Sequence, residues 1–413
     1  VSGPGTPEPR TGRRWTADLS DPALPVVGDL LAEGVPGPLA AVVAATGGTV
    51  GAARLTEVTW WPGRSVTVTW DVVVTGGPLA GPGSFVATTV AAPEGAVVVG
   101  DGSSSVAVWR VPHDPFLPAL PLALQPEVAA GVVRELGGEV TDPGTVLRAY
   151  RPTRRAVVAV TGQGHRVYLK LVRPHRLVRL HEKHLRLAGH LPVPRSLGID
   201  TRLGLLALEH LPGTTLHEAL EDPAAPLPDP AVVAHLPAAV PSAPELAPVP
   251  SAVDTLPEVA GLLAALVPPE AGRVRELVAE IGADEVTDRV PVHGDYHDGQ
   301  LLVTDDRLAG VVDVDTAGLG RPGDDAATML AHLSVWQGLS SAPGRVASYA
   351  GALQRHWDAV LDPVDLRLRV AARVLALAAG PFRVQQDDWP VETSRRIALA
   401  ERWVGSARQV RGG

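Results

Sequence analysis

The spacing of apolar residues changes character part-way along this chain, and that change constrains the fold more than any other feature. In the first half they recur at every second position. Val66, Val68 and Trp70 alternate with Thr67 and Thr69, and strand-like runs follow at 84–90, 96–99, 105–111, 146–150, 156–161, 165–172 and 205–210; alternation of this kind is the mark of β-strands. In the second half they return at every third or fourth position over 257–266, 270–281, 324–337, 343–360, 363–379 and 391–409, the stripe of amphipathic helices. Two segments cross the division. A helix is expected at 174–188, after three consecutive strands, and one β-hairpin, 300–304 with 309–313 around Asp305, Asp306 and Arg307, interrupts the helical half. Strands first and helices later predict an α+β chain. We divide it into a β-rich cap domain (1–115), a small β lobe with one helix (116–211) and a helical lobe (212–413) that holds the hairpin.

Composition narrows the function classes. The 413 residues carry 36 Lys and Arg against 45 Asp and Glu, a formal net charge of −9, which argues against a nucleic-acid scaffold, since phosphates need a basic face. There is no cysteine, excluding a disulfide framework and thiolate metal sites. No uninterrupted apolar run reaches the roughly 18 residues of a membrane span. The stretch from Val1 to Trp15 lacks the apolar core of a secretory signal, so the cytoplasm is the expected compartment. Ten prolines fall in 222–257, either as a linker or as short helices begun by proline. The chain has two lysines, Lys170 and Lys183, and no asparagine. A lysine in mid-strand is therefore informative, and an amide needed for chemistry has to be glutamine.

A weak internal repeat joins Trp60-x-Pro62-x-Arg64, with Val66, Val68 and Trp70 after it, to Tyr150-x-Pro152-x-Arg154, with Ala156, Val158 and Val160 after it, at an offset of 90. A second match, Val111-Pro112-His113 with Arg173-Pro174-His175, sets Val108 opposite Lys170. The two together raise a duplicated β unit whose first copy lacks the lysine; chance similarity in a Pro-, Arg- and Val-rich chain is the alternative.

The chemistry concentrates in one stretch. His293, Gly294, Asp295, His297 and Gln300 are followed by Asp313 and Asp315, so three carboxylates and an amide flank one short hairpin. Asp295 precedes its first strand and Asp313 ends its second, which directs both to one rim. Clustered acids repel one another, and Mg²⁺, which takes oxygen ligands, is the natural partner.

The pattern His-Gly-Asp-x-His-x-x-Gln, with Asp-x-Asp beginning thirteen residues beyond Gln300, resembles the aminoglycoside phosphotransferase and choline kinase family of small-molecule kinases, over roughly Gly144 to Gln409. It is distantly similar to the protein-kinase pattern. The resemblance implies a two-lobed protein-kinase-like fold, ATP and Mg²⁺ as cofactors, and transfer of the γ-phosphoryl group to a hydroxyl of a sugar, aminosugar or aminoglycoside. Asp295 then orients and deprotonates the acceptor, and Gln300 and Asp313 hold Mg²⁺. Asp315 is a second metal ligand or a fold-holding acid. Gln300 stands where most relatives carry asparagine; with the extra N-terminal domain, this is similar to actinobacterial maltokinases and glucosamine kinases.

Lys170 takes the place of the phosphate-anchoring lysine and Glu182 that of its ion-pair partner; the plain reading of each is a solvated surface side chain. Arg151–Arg155 occupies the loop over the nucleotide, with Arg154 or Arg155 turned to phosphate or to water. Glu209 and Leu211 lie in the hinge whose backbone reads adenine. His293 braces the loop, His297 contacts substrate or is structural, and Asp325 or its neighbour Asp324 is the family's structural acid. Asp388 and Trp389, in a polar loop, suit an amino group and sugar stacking, against a core role for the tryptophan.

Three other readings compete. Dinuclear zinc hydrolases use His-x-His-x-Asp-His, whereas the order here is His-x-Asp-x-His-Asp. A protein kinase needs an activation segment, yet only eleven residues separate Asp313 from Asp325. A non-catalytic nucleotide- or ligand-binding pseudokinase is the alternative raised by Gln300 and by the lack of a Gly-rich loop.

Overall fold

A computed structural model describes residues 19–242, 246–282 and 288–412; the stretch from Val1 to Trp15 lies outside the described residues. Two helices, α1 (Val27–Leu31) and α2 (Gly37–Ala45), lead into β1 (Thr49–Trp61), β2 (Ser65–Thr75), β3 (Gly81–Thr88), β4 (Val98–Val99) and β5 (Val106–Arg110). The pattern then repeats. Helices α3 (Leu120–Ala123) and α4 (Pro126–Glu135) lead into β6 (Gly144–Arg151), β7 (Arg155–Gly162) and β8 (His165–Val172); after α5 (Pro174–Leu187) come β9 (Ser196–Asp200) and β10 (Leu205–Glu209). Each set forms an antiparallel five-stranded sheet, and the strand orders, β1-β2-β3-β5-β4 and β6-β7-β8-β10-β9, are the same.

The shared order is what a duplicated unit requires, and the offset of 90 falls on matching hairpins. Gly63 in the β1–β2 turn has φ 71°, and Thr153, 90 residues on, has φ 65°. A β-branched residue is strained there. Asp114 Oδ2 accepts from its N–H at 2.9 Å and Arg173 Nε donates to its carbonyl at 2.7 Å, fixing the conformation. The register corrects one expectation. Val157 pairs with Lys170, and Thr67, 90 residues before Val157, pairs with Thr88. The counterpart of Lys170 is therefore the buried Thr88 in β3, not Val108, which lies in β5.

The helical lobe begins with β11 (Thr214–Thr215), α6 (Leu216–Glu221) and α7 (Pro230–His235), followed by α8 (Leu256–Leu266) and α9 (Ala271–Ile281). Within the Pro-rich stretch, α7 is begun by Pro230 and capped by Asp229, whose carboxylate accepts from the Ala231 N–H. Then come β12 (Val290–Val292), the hairpin β13 (Leu301–Thr304) and β14 (Arg307–Val311), β15 (Gly318–Gly320), and the helices α10 (Asp324–Gln337), α11 (Pro343–Asp358), α12 (Pro363–Ala378), α13 (Gly380–Arg383) and α14 (Trp389–Gly412). Helix α12 is buried on almost every side, against α10, α14 and α8. No described helix is long and apolar enough to cross a membrane.

The first sheet touches both lobes. The buried residues of β1 and β2 share one apolar core with the helical lobe, β1 lying against α8 and α13, while the second sheet keeps a core of its own with α3 and α4. Toward the small lobe, Trp109 Nε1 donates to Tyr150 Oη at 3.0 Å and Tyr150 donates to Asp114 Oδ2 at 2.8 Å. Toward the helical lobe, Arg383 pairs with Glu57 at 3.0 Å.

Candidate active site

Strands β12 and β15 pair antiparallel, which sets the loop after β12 beside the turn after β14. That loop is fixed by its own backbone. Asp325, 3% exposed at the start of α10, accepts from the His293 N–H at 2.7 Å and the Gly294 N–H at 2.8 Å, while burial pushes its carboxyl pKa up. Between the two acids offered, Asp325 takes the loop; Asp324 binds Ser251 and Arg369 instead. Gly294 has φ 82°, and a Cβ there would lie 2.5 Å from the Thr316 carbonyl. His293 is buried, with Nε2 3.1 Å from the Val312 carbonyl oxygen. Asp295 stands half-buried on this scaffold, its N–H 3.3 Å from His293 Nδ1.

The second acid lies beyond β14. Asp313 is left-handed, φ 58° and ψ 47°, a conformation an aspartate tolerates better than most residues. Its carboxylate meets the small lobe: Lys170 Nζ is 3.0 Å from Oδ1, and Arg155 donates to both oxygens at 2.7 Å. Asp315 binds the same two cations, Arg155 at 2.9 Å and Lys170 more closely still. Burial pushes the Asp313 carboxyl up, but Lys170 and Arg155 outweigh it and hold it well below the usual carboxylate range.

Two cation assignments change. Glu182 is exposed; the face of α5 turned inward carries Lys183 and His184. Lys170 is paired with Asp313 and Asp315 rather than Glu182, because the helix register differs by one residue. Lys183 Nζ donates to the carbonyls of Asp315 and Ala317 at 2.7 and 2.6 Å, and burial pushes its pKa down to about 8. Arg154 is exposed, and it is Arg155 that reaches the acids. In the hinge, Glu209 donates its N–H to the Arg195 carbonyl at 2.9 Å and ion-pairs with the Arg195 guanidinium, so that amide is not a donor for a base. Leu211 packs over Gly310 of β14.

His297 and His332 stack with ring centroids 4.1 Å apart and planes within 6°. One donor atom from each of these and Asp295 lie within 4.8 Å of one another. Nitrogens in parallel planes do not converge on an ion at the 2.0–2.1 Å of a zinc–imidazole bond, so the zinc-hydrolase reading gains nothing. Gln300 Nε2 lies 3.2 Å from His297 Nε2. Burial pushes the His332 pKa down to about 3, with His297 adding to it.

Beside this loop opens a cavity of about 620 Å³, walled by Thr59 and Trp61 of β1 and by His217, His297, His332 and Trp336 of the helical lobe, with Arg383 and Arg396 further along. Asp388 and Trp389 do not line it. Asp388 is exposed and accepts from Gln386 at 2.9 Å; Trp389 is 6% exposed, edge-on to Phe382 at 5.0 Å. The core role wins for this tryptophan because α14 starts there and turns it inward. Trp61, from the domain to which sequence reasoning gave no role, and Trp336 are the half-buried aromatics of the cavity, which the buried Trp60 and Phe382 also line.

The model of the phosphotransferase enzyme family matches residues 152–362, just over half of the chain. The chain belongs to this family. It is a phosphotransferase. No curated protein matches it. Among solved structures, an aminoglycoside phosphotransferase in ternary complex with AMP-PNP and hygromycin B is 17% identical to the phosphotransferase, covering 67% of this chain and 98% of its own at a TM-score of 0.48. A macrolide 2′-phosphotransferase from Brachybacterium faecium is 19% identical, with 66% and 98% covered and a TM-score of 0.41. A choline/ethanolamine kinase family protein from Mesorhizobium loti is 15% identical, with 68% and 92% covered and a TM-score of 0.44.

Proposed function

We propose that this phosphotransferase moves the γ-phosphoryl group of ATP, bound with Mg²⁺, to a hydroxyl of a small sugar-like acceptor in the cytoplasm. The observation that carries the reading is the meeting of Lys170 with Asp313 at 3.0 Å across the two lobes, with Asp295 on the loop alongside. The residues suit the cofactor: Asp313, Asp315 and Gln300 offer hard oxygen donors of the kind Mg²⁺ takes, and the two carboxylates already face positive charge in Lys170 and Arg155. Bound Mg-ATP would supply the phosphoryl group and neutralise the charge developing on it. Asp295 accepts the proton of the acceptor hydroxyl, Lys170 holds phosphate oxygens, and Asp313 with Gln300 holds the cation. Catalysis of this type is mainly positioning.

Of the acceptors considered, a neutral sugar fits the cavity best. Trp61 and Trp336 offer aromatic faces, and of the charged groups on the wall Arg383 is paired with Glu57 and Asp298 with His217, which leaves a lining with little free charge. The test is a coupled ADP-release screen over sugars, aminosugars and aminoglycosides. Asp295→Asn is expected to lower turnover about 10²–10⁴-fold with an unchanged melting temperature. Equal turnover by both proteins would defeat the reading.

A further inference from the structure

Three histidines line the cavity beside Asp295, and one of them is placed differently from the other two. His297 spends both ring nitrogens on its own loop: Nδ1 accepts from the Gly299 N–H at 3.1 Å, and Nε2 lies 3.2 Å from the Gln300 amide. His332 stacks on it. His217 comes from a separate element, α6. Its Nδ1 lies 2.6 Å from Oδ2 of Asp298, which is 2% exposed in the turn between His297 and Gly299. A carboxylate only accepts, so the hydrogen of that bond sits on Nδ1. Nε2 is at the other edge of the ring and has no partner among the described residues. The side chain is 35% exposed, so its open edge is the one that carries Nε2. The ring is also held in place. Trp336 lies against it with centroids 4.1 Å apart. A capping box between Thr215 and Glu218 fixes the start of α6, and β11, just before it, pairs with β13 of the hairpin.

We infer that His217 contacts the acceptor: its Nε2 binds a sugar hydroxyl other than the one that is phosphorylated, and Asp298 is the positioning residue that aims it. A bond to one imidazole nitrogen sets what the other offers, and a hydroxyl suits either protonation state of the ring because it both donates and accepts. The same cavity reaches His297 and His332, whose donor atoms lie within 4.8 Å of an Asp295 oxygen. One sugar in it can therefore present one hydroxyl to Asp295 and another to His217. The contact presupposes the sugar-like acceptor proposed above. A purely structural histidine would instead tie α6 to the loop through Asp298, and the two roles use different nitrogens.

That difference makes the test. An asparagine amide can replace Nδ1 and a glutamine amide can replace Nε2, so His217→Asn keeps the bond to Asp298 without the cavity-facing nitrogen, and His217→Gln does the reverse. The substrates are the sugar that gives the fastest ADP release in the screen above and its monodeoxy analogues that retain the reacting hydroxyl, used with the full chain and saturating Mg-ATP. For the unsubstituted protein, one analogue should lose about tenfold to a hundredfold in kcat/KM, most of it in KM. His217→Asn should lose about as much on the parent sugar and nothing further on that analogue, while its melting temperature and AMP-PNP affinity are kept. His217→Gln should retain part of the discrimination at a lower melting temperature. If every analogue loses as much with His217→Asn as with the unsubstituted protein, or if Asn preserves the discrimination and Gln abolishes it, the histidine is structural and the inference is overturned. Absence of ADP release with every sugar overturns the acceptor reading and this contact with it, whereas release indifferent to His217→Asn overturns the contact alone.

Discussion

Both lysines of this chain end at one aspartate. Lys170 reaches the Asp315 carboxylate, and Lys183 reaches its carbonyl. In a protein that otherwise relies on arginine, two compact ammonium groups stand where a planar fork would not fit the same contacts. Lys183 has no role in the expectations from sequence, although its rarity was the available signal. Glu182 drew attention instead, because an acid is the obvious partner for a lysine, and apolar periodicity fixes helix register only to within a residue or two. Lys183→Met removes two bonds from a charged donor, each worth about 1.5–3 kcal/mol, and leaves two carbonyls without it. Urea unfolding should show a loss of about 3 kcal/mol, with ADP release reduced as the Asp315 turn loosens. His184, its neighbour, is 1% exposed, and burial, with Lys170 nearby, pushes its pKa down to about 4. A folded pKa below the unfolded value of about 6.5 means that the neutral ring's contribution is complete above pH 6.5 and is lost as the pH falls toward 4. Melting temperatures should fall across that window, His184 contributing about 3 kcal/mol and the buried His332 adding to it, and His184→Leu should flatten the slope by its own share.

Among the elements, the loop between β12 and the hairpin was the most legible, and for a physical reason. Its geometry depends on residues that can hardly be exchanged: a glycine at positive φ, an acid binding two consecutive amides, and a histidine inside the turn. Such requirements leave a dense local pattern. Gly294→Ala tests the first of them. Its Cβ would meet the Thr316 carbonyl at 2.5 Å, so either the loop or the Asp313–Thr316 turn must move. We expect a loss of about 2–4 kcal/mol and at least a hundredfold lower turnover, by calorimetry and ADP release. The repeated β unit was legible in its hairpins and not beyond. Strand order and the Lys170–Thr88 equivalence follow from pairing register, which sequence similarity at one offset does not carry. The second match, built on Val111 and Arg173, failed because strands rich in valine and proline resemble one another by composition.

At the scale of the molecule, the arrangement of the first sheet was the least legible feature. Alternation in β2 shows that one face is buried, since Val66, Val68, Trp70, Val72 and Val74 all point inward; it does not show against what. The answer is α1 and α2 together with the helical lobe, which the sheet meets through β1, while Trp109–Tyr150–Asp114 ties its β5 to the small lobe. Trp61 thereby becomes part of the cavity beside Asp295. Trp61→Ala is expected to raise the acceptor KM about tenfold while the KM for ATP stays the same, since the hydrogen bonds and ion pairs of Lys170 and Asp313 among the described residues run to Arg155 and Asp315 and not to β1. Steady-state kinetics with each substrate varied in turn would separate the two. A shift in the ATP value alone would contradict the placement. The docking of β1 also bears on how the gene could be cut. Severing the chain near residue 116 would leave each fragment with a raw, water-averse scar. Neither piece would stay dispersed alone, and the two mixed would rejoin, because this apparent accessory is half of the scaffold.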